Sequence, residues 1–145
     1  MSPIRLIKDK AELRGTCYFE FLPGEYKEEC WNDGSVFLDE ETFALIEAII
    51  ARHEPRFDHY SFVGIRRPVW EGIMADLKRL AISVDGATSV SDIRDAVGFF
   101  FTTSEREFAE NLRSNAEALA KLIRELVAWL RVQLKTHESV SVLGM

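Results

Sequence analysis

The stretch Ser104–His137, SEREFAENLRSNAEALAKLIRELVAWLRVQLKTH, decides the fold, because it reads as one long helix that the rest of the chain must cover. Ser104 and Glu107 have the spacing of a capping box: the serine hydroxyl can accept from the Glu107 amide while the glutamate reaches back to the serine amide. No proline or glycine follows until Gly144. Phe108, Leu112, Ala116, Leu119, Ile123, Leu126 and Leu130 recur in steps of four and three, the spacing of one helical face. Leu122, Val127, Trp129 and Leu134 widen the stripe in its second half. Arg113, Glu117, Lys121, Arg124, Glu125 and Arg131 take the opposite side, with Glu117 and Lys121 in the favourable i,i+4 order. At 1.5 Å per residue the helix would run about 50 Å. A compact domain of this size has a radius of gyration of only about 15 Å. Two readings follow. In one, this is a core helix wrapped by the other elements. In the other, part of it projects and pairs with a second chain, and the helix length favours such a homodimer. The heptad stays strict for only about three repeats, short for a coiled coil.

Working outward, Ile4–Lys8 reads as a short strand and Asp9–Gly15 as a polar turn. In Thr16–Leu22, Cys17, Phe19 and Phe21 alternate with Tyr18, Glu20 and Leu22, which is a strand pattern. Pro23-Gly24 is a turn signal. Glu25–Asp33 has a period of neither two nor 3.6 and reads as an irregular loop, after which Gly34 opens a strand at Ser35–Leu38. Asp39 is a good N-cap for the next helix, with Glu40 and Glu41 at the positive end of its dipole. Thr42, Leu45, Ile46, Ile49, Ile50 and His53 share its face, and Pro55 stops it. Phe57–Ile65 is apolar on both faces and reads as a central strand. Pro68 suits the first turn of a helix that carries Trp70, Ile73, Met74 and Leu77 on one side and ends near Leu80. Within Ala81–Thr103, Asp85-Gly86 is a turn, Ser89 or Ser91 can cap a short helix, and Phe99-Phe100-Phe101 reads as a buried connector. The final Ser139–Met145 alternates as a strand tucked into the sheet.

The sum is an α+β fold in a single domain over residues 1–145: a small, mostly antiparallel sheet packed by helices, with one long C-terminal helix followed by a short terminal strand. The expected core is Phe19, Phe21, Ile46, Ile50, Phe62, Val63, Trp70, Ile73, Leu77, Leu119, Ile123, Leu126 and Leu130.

Composition excludes several functions. The net charge is −6, from 18 basic and 24 acidic side chains, the wrong balance for the phosphate backbone, so no nucleic acid is expected. No segment approaches the roughly 20 apolar residues of a membrane span, and the N-terminus has no signal-peptide pattern, so no membrane is expected either. The expected location is cytoplasmic, with Cys17 and Cys30 reduced. His53, His59 and His137 are scattered singly and the two cysteines are far apart, so no metal or other cofactor is expected. Cys30 lies between Glu29 and Trp31, where acidic neighbours raise rather than lower a thiol's pKa. No phosphate-binding, dinucleotide or hydrolase motif occurs.

What remains is Glu20–Glu41. It holds eight acidic side chains against the single base Lys27, a net of −7, with Tyr26 and Trp31 inside the run. Concentrated acid with interleaved aromatics suits a protein-binding surface: aromatics anchor, charges steer. The alternative is a solvated loop whose aromatics fold inward. The candidate binding residues are Glu25, Tyr26, Glu28, Glu29, Trp31 and Asp33.

In size, in the acidic-aromatic run Glu25–Asp33 and in lacking a catalytic signature, the chain resembles the small, acidic, cytosolic immunity proteins that bacteria encode beside polymorphic or contact-dependent toxins. The resemblance implies a non-enzymatic domain that neutralises one cognate toxin by direct binding, with a basic toxin domain as the expected partner; it carries over no individual residue. Two other readings stand beside it: a structural or regulatory domain that dimerises through its long helix, and an enzyme with an unrecognised site.

Overall fold

The computed structural model describes residues 1–145. Strands β1 (Tyr18–Pro23) and β2 (Val36–Asp39) lead into helix α1 (Glu40–His53). Strand β3 (Phe62–Arg66) runs directly into α2 (Arg67–Asp85). Helices α3 (Thr102–Glu110) and α4 (Leu112–Gln133) precede the terminal strand β4 (Ser139–Leu143). The fold is α+β, and the sheet is antiparallel throughout in the order β2-β1-β4-β3.

Period-two alternation assigns the two faces of the sheet. Phe19, Phe21, Val36, Leu38, Val63, Ile65, Val140 and Val142 point to the helices and join one continuous core with α1, α2 and α4. Phe19 stacks on Phe43 of α1, and Trp70 of α2 lies against Phe21. The Trp70 indole is fully buried and its Nε1 donates to the Val140 carbonyl at 3.1 Å, so its one polar atom is satisfied. On the other face, Phe37, Glu20, Leu143 and Phe62 form one row across the four strands.

The long helix is two helices. Asn111 leaves the helical region (φ −126°, ψ 49°), although no proline or glycine marks the break. Tertiary contacts explain it. Ser104 does not cap: it is buried in α3 and its hydroxyl donates to Glu41 Oε2 of α1 at 2.7 Å. Phe108 is fully buried, and the Met1 amino group pairs with Glu107. These contacts fix α3 in a direction that α4 cannot continue. Asn115 Nδ2 donates to the Phe108 carbonyl at 3.2 Å, which meets an acceptor freed at the break. The expected stripe is otherwise intact, since Ala116, Leu119, Ile123, Leu126 and Leu130 are all buried. What covers it is α2 of the same chain, lying antiparallel to α4. Arg67 Nε donates to the Leu134 carbonyl at one end of the pair, and Arg113 donates to the Val84 and Asp85 carbonyls at the other. The stripe is therefore already occupied and gives no reason for a second chain to pair with it.

Further expectations change. Ile4–Lys8 is not a strand; only Ile7 bridges Phe37. The third strand begins at Phe62, after turns over 57–61, and it is an edge strand; the central pair is β1 and β4. The second helix runs on to Asp85. Phe62 is 44% exposed rather than core, and Phe100 and Phe101 are exposed rather than a buried connector. No helix is long and apolar enough to cross a membrane.

Candidate protein-binding face

The acidic segment is a loop folded over the outer face of the sheet, and a buried carboxylate holds it there. Glu20 sits mid-strand in β1 and is only 3% exposed. Its Oε1 accepts from the Trp31 amide at 2.6 Å. Its Oε2 accepts from the Asn32 amide and Asn32 Nδ2, each at 3.0 Å, and from Ser35 Oγ at 2.6 Å. A buried carboxylate needs such donors, and charge-assisted bonds are the strong ones. They hold the loop in two left-handed residues that are not glycine, Glu28 (φ 64°) and Trp31 (φ 62°), a conformation that needs outside support.

The same bonds determine which side chains face out. Glu25 lies down: Ser139 Oγ donates to its Oε1 at 3.0 Å, and its carboxylate crosses Gly64, where a Cβ would come within 3.0 Å of Oε2. Ser141 Oγ donates to the Gly24 carbonyl. The two outward serines of β4 thus seat the start of the loop. Tyr26 packs its ring on the edge of Phe62, with centroids 5.0 Å apart. Trp31 turns inward, half-buried beside Tyr18 and the small cluster of Ile7, Leu13 and Phe37. Glu28 and Glu29 are exposed, and Asp33 is exposed with Lys10 at 3.3 Å. Of the six candidate residues, Glu28, Glu29 and Asp33 present charge to solvent, Glu25 is exposed as well but bonds Ser139 with one oxygen, Tyr26 presents part of its ring, and Trp31 mainly holds the loop. Cys30 is an exposed free thiol. Desolvation first, and then the Glu20 charge, push its pKa up, which disfavours a thiolate nucleophile.

The sequence reading missed a row of exposed aromatics that runs from the turn before β3 to the start of α3. Tyr60 is 73% exposed and Phe101 53%. His59 contacts Tyr60 and stacks on Phe100, whose ring meets Phe101 edge-on with centroids 4.5 Å apart. His59 Nδ1 lies 3.0 Å from Glu47, and its Nε2 lies 3.6 Å from Glu40. Five of the seven large exposed hydrophobic side chains belong to this row or to the Tyr26–Phe62 pair, a concentration that marks interaction surfaces. The run of three phenylalanines was the available signal, but no local rule says which of them turn outward.

No family model, curated protein or solved structure matches this chain. The other titratable cluster joins two helices. His53 Nε2 of α1 lies 2.6 Å from Asp76 of α2, which also pairs with Arg52 and Arg79. The His53 bond, followed by that of Arg79, holds Asp76 below the usual carboxylate range. The His53 ring packs flat against α2 at Gly72, where a Cβ would come within 2.8 Å of Nδ1. This cluster clamps α1 to α2. No group of three His, Cys, Asp or Glu side chains is placed to hold a metal ion.

Proposed function

We propose that this chain is a non-enzymatic inhibitory binding protein of the immunity-protein kind, which neutralises a cognate bacterial toxin by direct contact with a basic surface of it. The observation that carries the reading is the loop clamped by Glu20. Its outward residues Glu28, Glu29 and Asp33 form a fixed acidic rim beside the paired, exposed rings of Tyr26 and Phe62. A rigid acidic rim attracts a basic partner over about 8–10 Å at physiological salt, and rings already in place anchor it with little entropy to lose. The reading places the protein in the bacterial cytosol, with both free cysteines reduced. Of the two candidate anchors it keeps Tyr26, paired with Phe62, and sets aside Trp31, which faces inward.

The test is kinetic, with the toxin domain encoded by the neighbouring gene as partner. Glu28→Gln with Glu29→Gln should mainly slow association, and added salt should reproduce the effect. Tyr26→Ala should mainly speed dissociation, by about 2 kcal/mol if the ring fills a pocket. Normal binding by both variants, with unchanged melting, would leave the acidic segment a solvated loop and remove the support for the reading.

A further inference from the structure

On the helical side of the sheet, α2 and α4 leave a shallow groove between them of about 400 Å³, within the roughly 300–1,000 Å³ typical of binding sites. Ala81, Ile123 and Val127 form its floor, with Ile82 and Ala128 at its lips. Ile82 is 71% exposed, more than any other large aliphatic side chain of the protein. No carboxylate lines the groove. Its rim holds three cations instead, Lys78 on α2 and Arg124 and Arg131 on α4. Arg124 pairs with Asp85, whereas Lys78 and Arg131 have no hydrogen bond or ion pair within the chain. In a protein of net charge −6 these are cations without an internal use.

Their arrangement selects the occupant. The carboxylate of a fatty acid needs cations converging on one point. Here they are strung along the groove: Arg124 and Arg131 stand seven residues apart on one helix, about 10.5 Å along its axis. A helix carries its own carboxylates at that two-turn repeat, on the flank of an apolar stripe. We propose that the α2–α4 groove docks an amphipathic helix of a partner protein, with its apolar ridge laid between Ile82 and Ala128 over the buried floor and its acidic flank paired to Lys78, Arg124 and Arg131. This is recognition of a helix in a groove, and it does not rest on the acidic face across the sheet.

The probe is a synthetic peptide of about 18 residues, long enough to be helical, with leucines on one face and glutamates two turns apart on its flank. It is titrated into isotope-labelled protein and followed by amide chemical shifts. Three ligands run in parallel: a permuted isomer without an amphipathic face, a version with lysine for glutamate, and decanoate. The glutamate peptide should shift Ala81, Ile82, Ile123, Val127 and Ala128 saturably. Lys78→Glu with Arg131→Glu should weaken it about tenfold or more while leaving the melt unchanged. Ala128→Trp, which fills the groove from an exposed position, should block it. The proposal is overturned if the peptide gives no saturable shifts or shifts elsewhere, if the permuted or lysine peptide binds as well, or if the double reversal binds normally. Saturable decanoate binding without peptide binding would assign a small amphiphile instead. Shifts at the same amides that grow with protein concentration alone would assign a second copy.

Discussion

Replacing Glu20 by Gln tests whether one carboxylate holds the acidic loop. The substitution keeps shape and volume but exchanges one acceptor oxygen for a donor. Its least costly placement puts the amide oxygen at the Oε2 site, where Asn32 N, Asn32 Nδ2 and Ser35 Oγ donate. The new NH2 then faces the Trp31 amide, 2.6 Å from the original Oε1. One bond becomes a clash between two donors, and three lose their charge assistance. A hydrogen bond to a charged group contributes about 1.5–3 kcal/mol and a neutral one about 0.5–1.5, a gross loss of about 4–7 kcal/mol; burying a neutral amide in place of a carboxylate costs less and offsets part of this, so the loop should lose about 2–4 kcal/mol. If that loss reached global stability in full, the melting temperature would fall by about 5–15 °C. Local opening of the loop caps the loss, so the diagnostic signal is hydrogen exchange. The Trp31 and Asn32 amides should exchange at least tenfold faster in the variant, while Phe21 and Val142 in the central strands change in step with global stability. Unchanged exchange at Trp31 and Asn32, with a melt within about 1 °C of wild type, would mean that the loop is held by its side-chain packing, and the Glu20 argument would be wrong.

Leu126→Ala should cost about 2–5 kcal/mol in denaturant unfolding, because the side chain is fully buried; Phe62→Ala, on the exposed edge, should lose only about 1 kcal/mol with its Tyr26 contact. The Thr42 hydroxyl is buried without a hydrogen-bond partner, so the near-isosteric Thr42→Val should raise stability by about 1 kcal/mol, and a loss of stability would reveal a partner for that hydroxyl. Asp76 has a folded pKa below its unfolded value, so its contribution is complete above about pH 4 and disappears as pH falls through the lower, folded value. The stability difference between wild type and Asp76→Asn should therefore be widest near pH 6 and close toward pH 2; a difference independent of pH would show that the clamp does not depend on the charge.

The period of the apolar residues was enough to locate α1, α2 and the stripe of α4, because each of these helices buries a face that its own spacing defines. The break at Asn111 was not legible. Nothing near it disfavours a helix; the cause is Ser104 bonding to Glu41 and Phe108 entering the core, contacts 63 residues away in the first case. Strand order was hidden for the same reason. Which strand is central depends on β4 pairing with β1 across most of the chain, and an apolar run such as Phe57–Ile65 looks alike at an edge or a centre. Phe62 shows the consequence. It lies on the outer face, opposite Leu143; the loop covers the centre of that face but reaches the edge only with Tyr26. At the candidate site the composition marked the right segment but not its orientation. Alternation alone put Glu20 on the outer face, and a carboxylate flanked by Phe19 and Phe21 in an inner strand already implies donors arriving from elsewhere.

The net charge of −6 conceals a division that matters more than its sum. The outer face of the sheet carries Glu28, Glu29 and Asp33 around exposed rings, and the helical side carries Lys78, Arg124 and Arg131 around an aliphatic groove. The two surfaces differ in chemistry as well as sign. Rings that are fixed by their neighbours suit a hot spot that dissociates slowly, whereas a shallow groove between helices suits a segment that folds as it binds and loses affinity to that ordering. Salt weakens both, so salt dependence alone cannot tell them apart; site-directed charge changes can. Neutralising Glu28 and Glu29 should leave peptide binding in the groove intact, and reversing Lys78 and Arg131 should leave association at the acidic face intact, because the sheet and a layer of helix lie between two sites whose fields are screened within about 10 Å. Coupling between the two sets of substitutions would instead point to a single partner that wraps the domain and touches both.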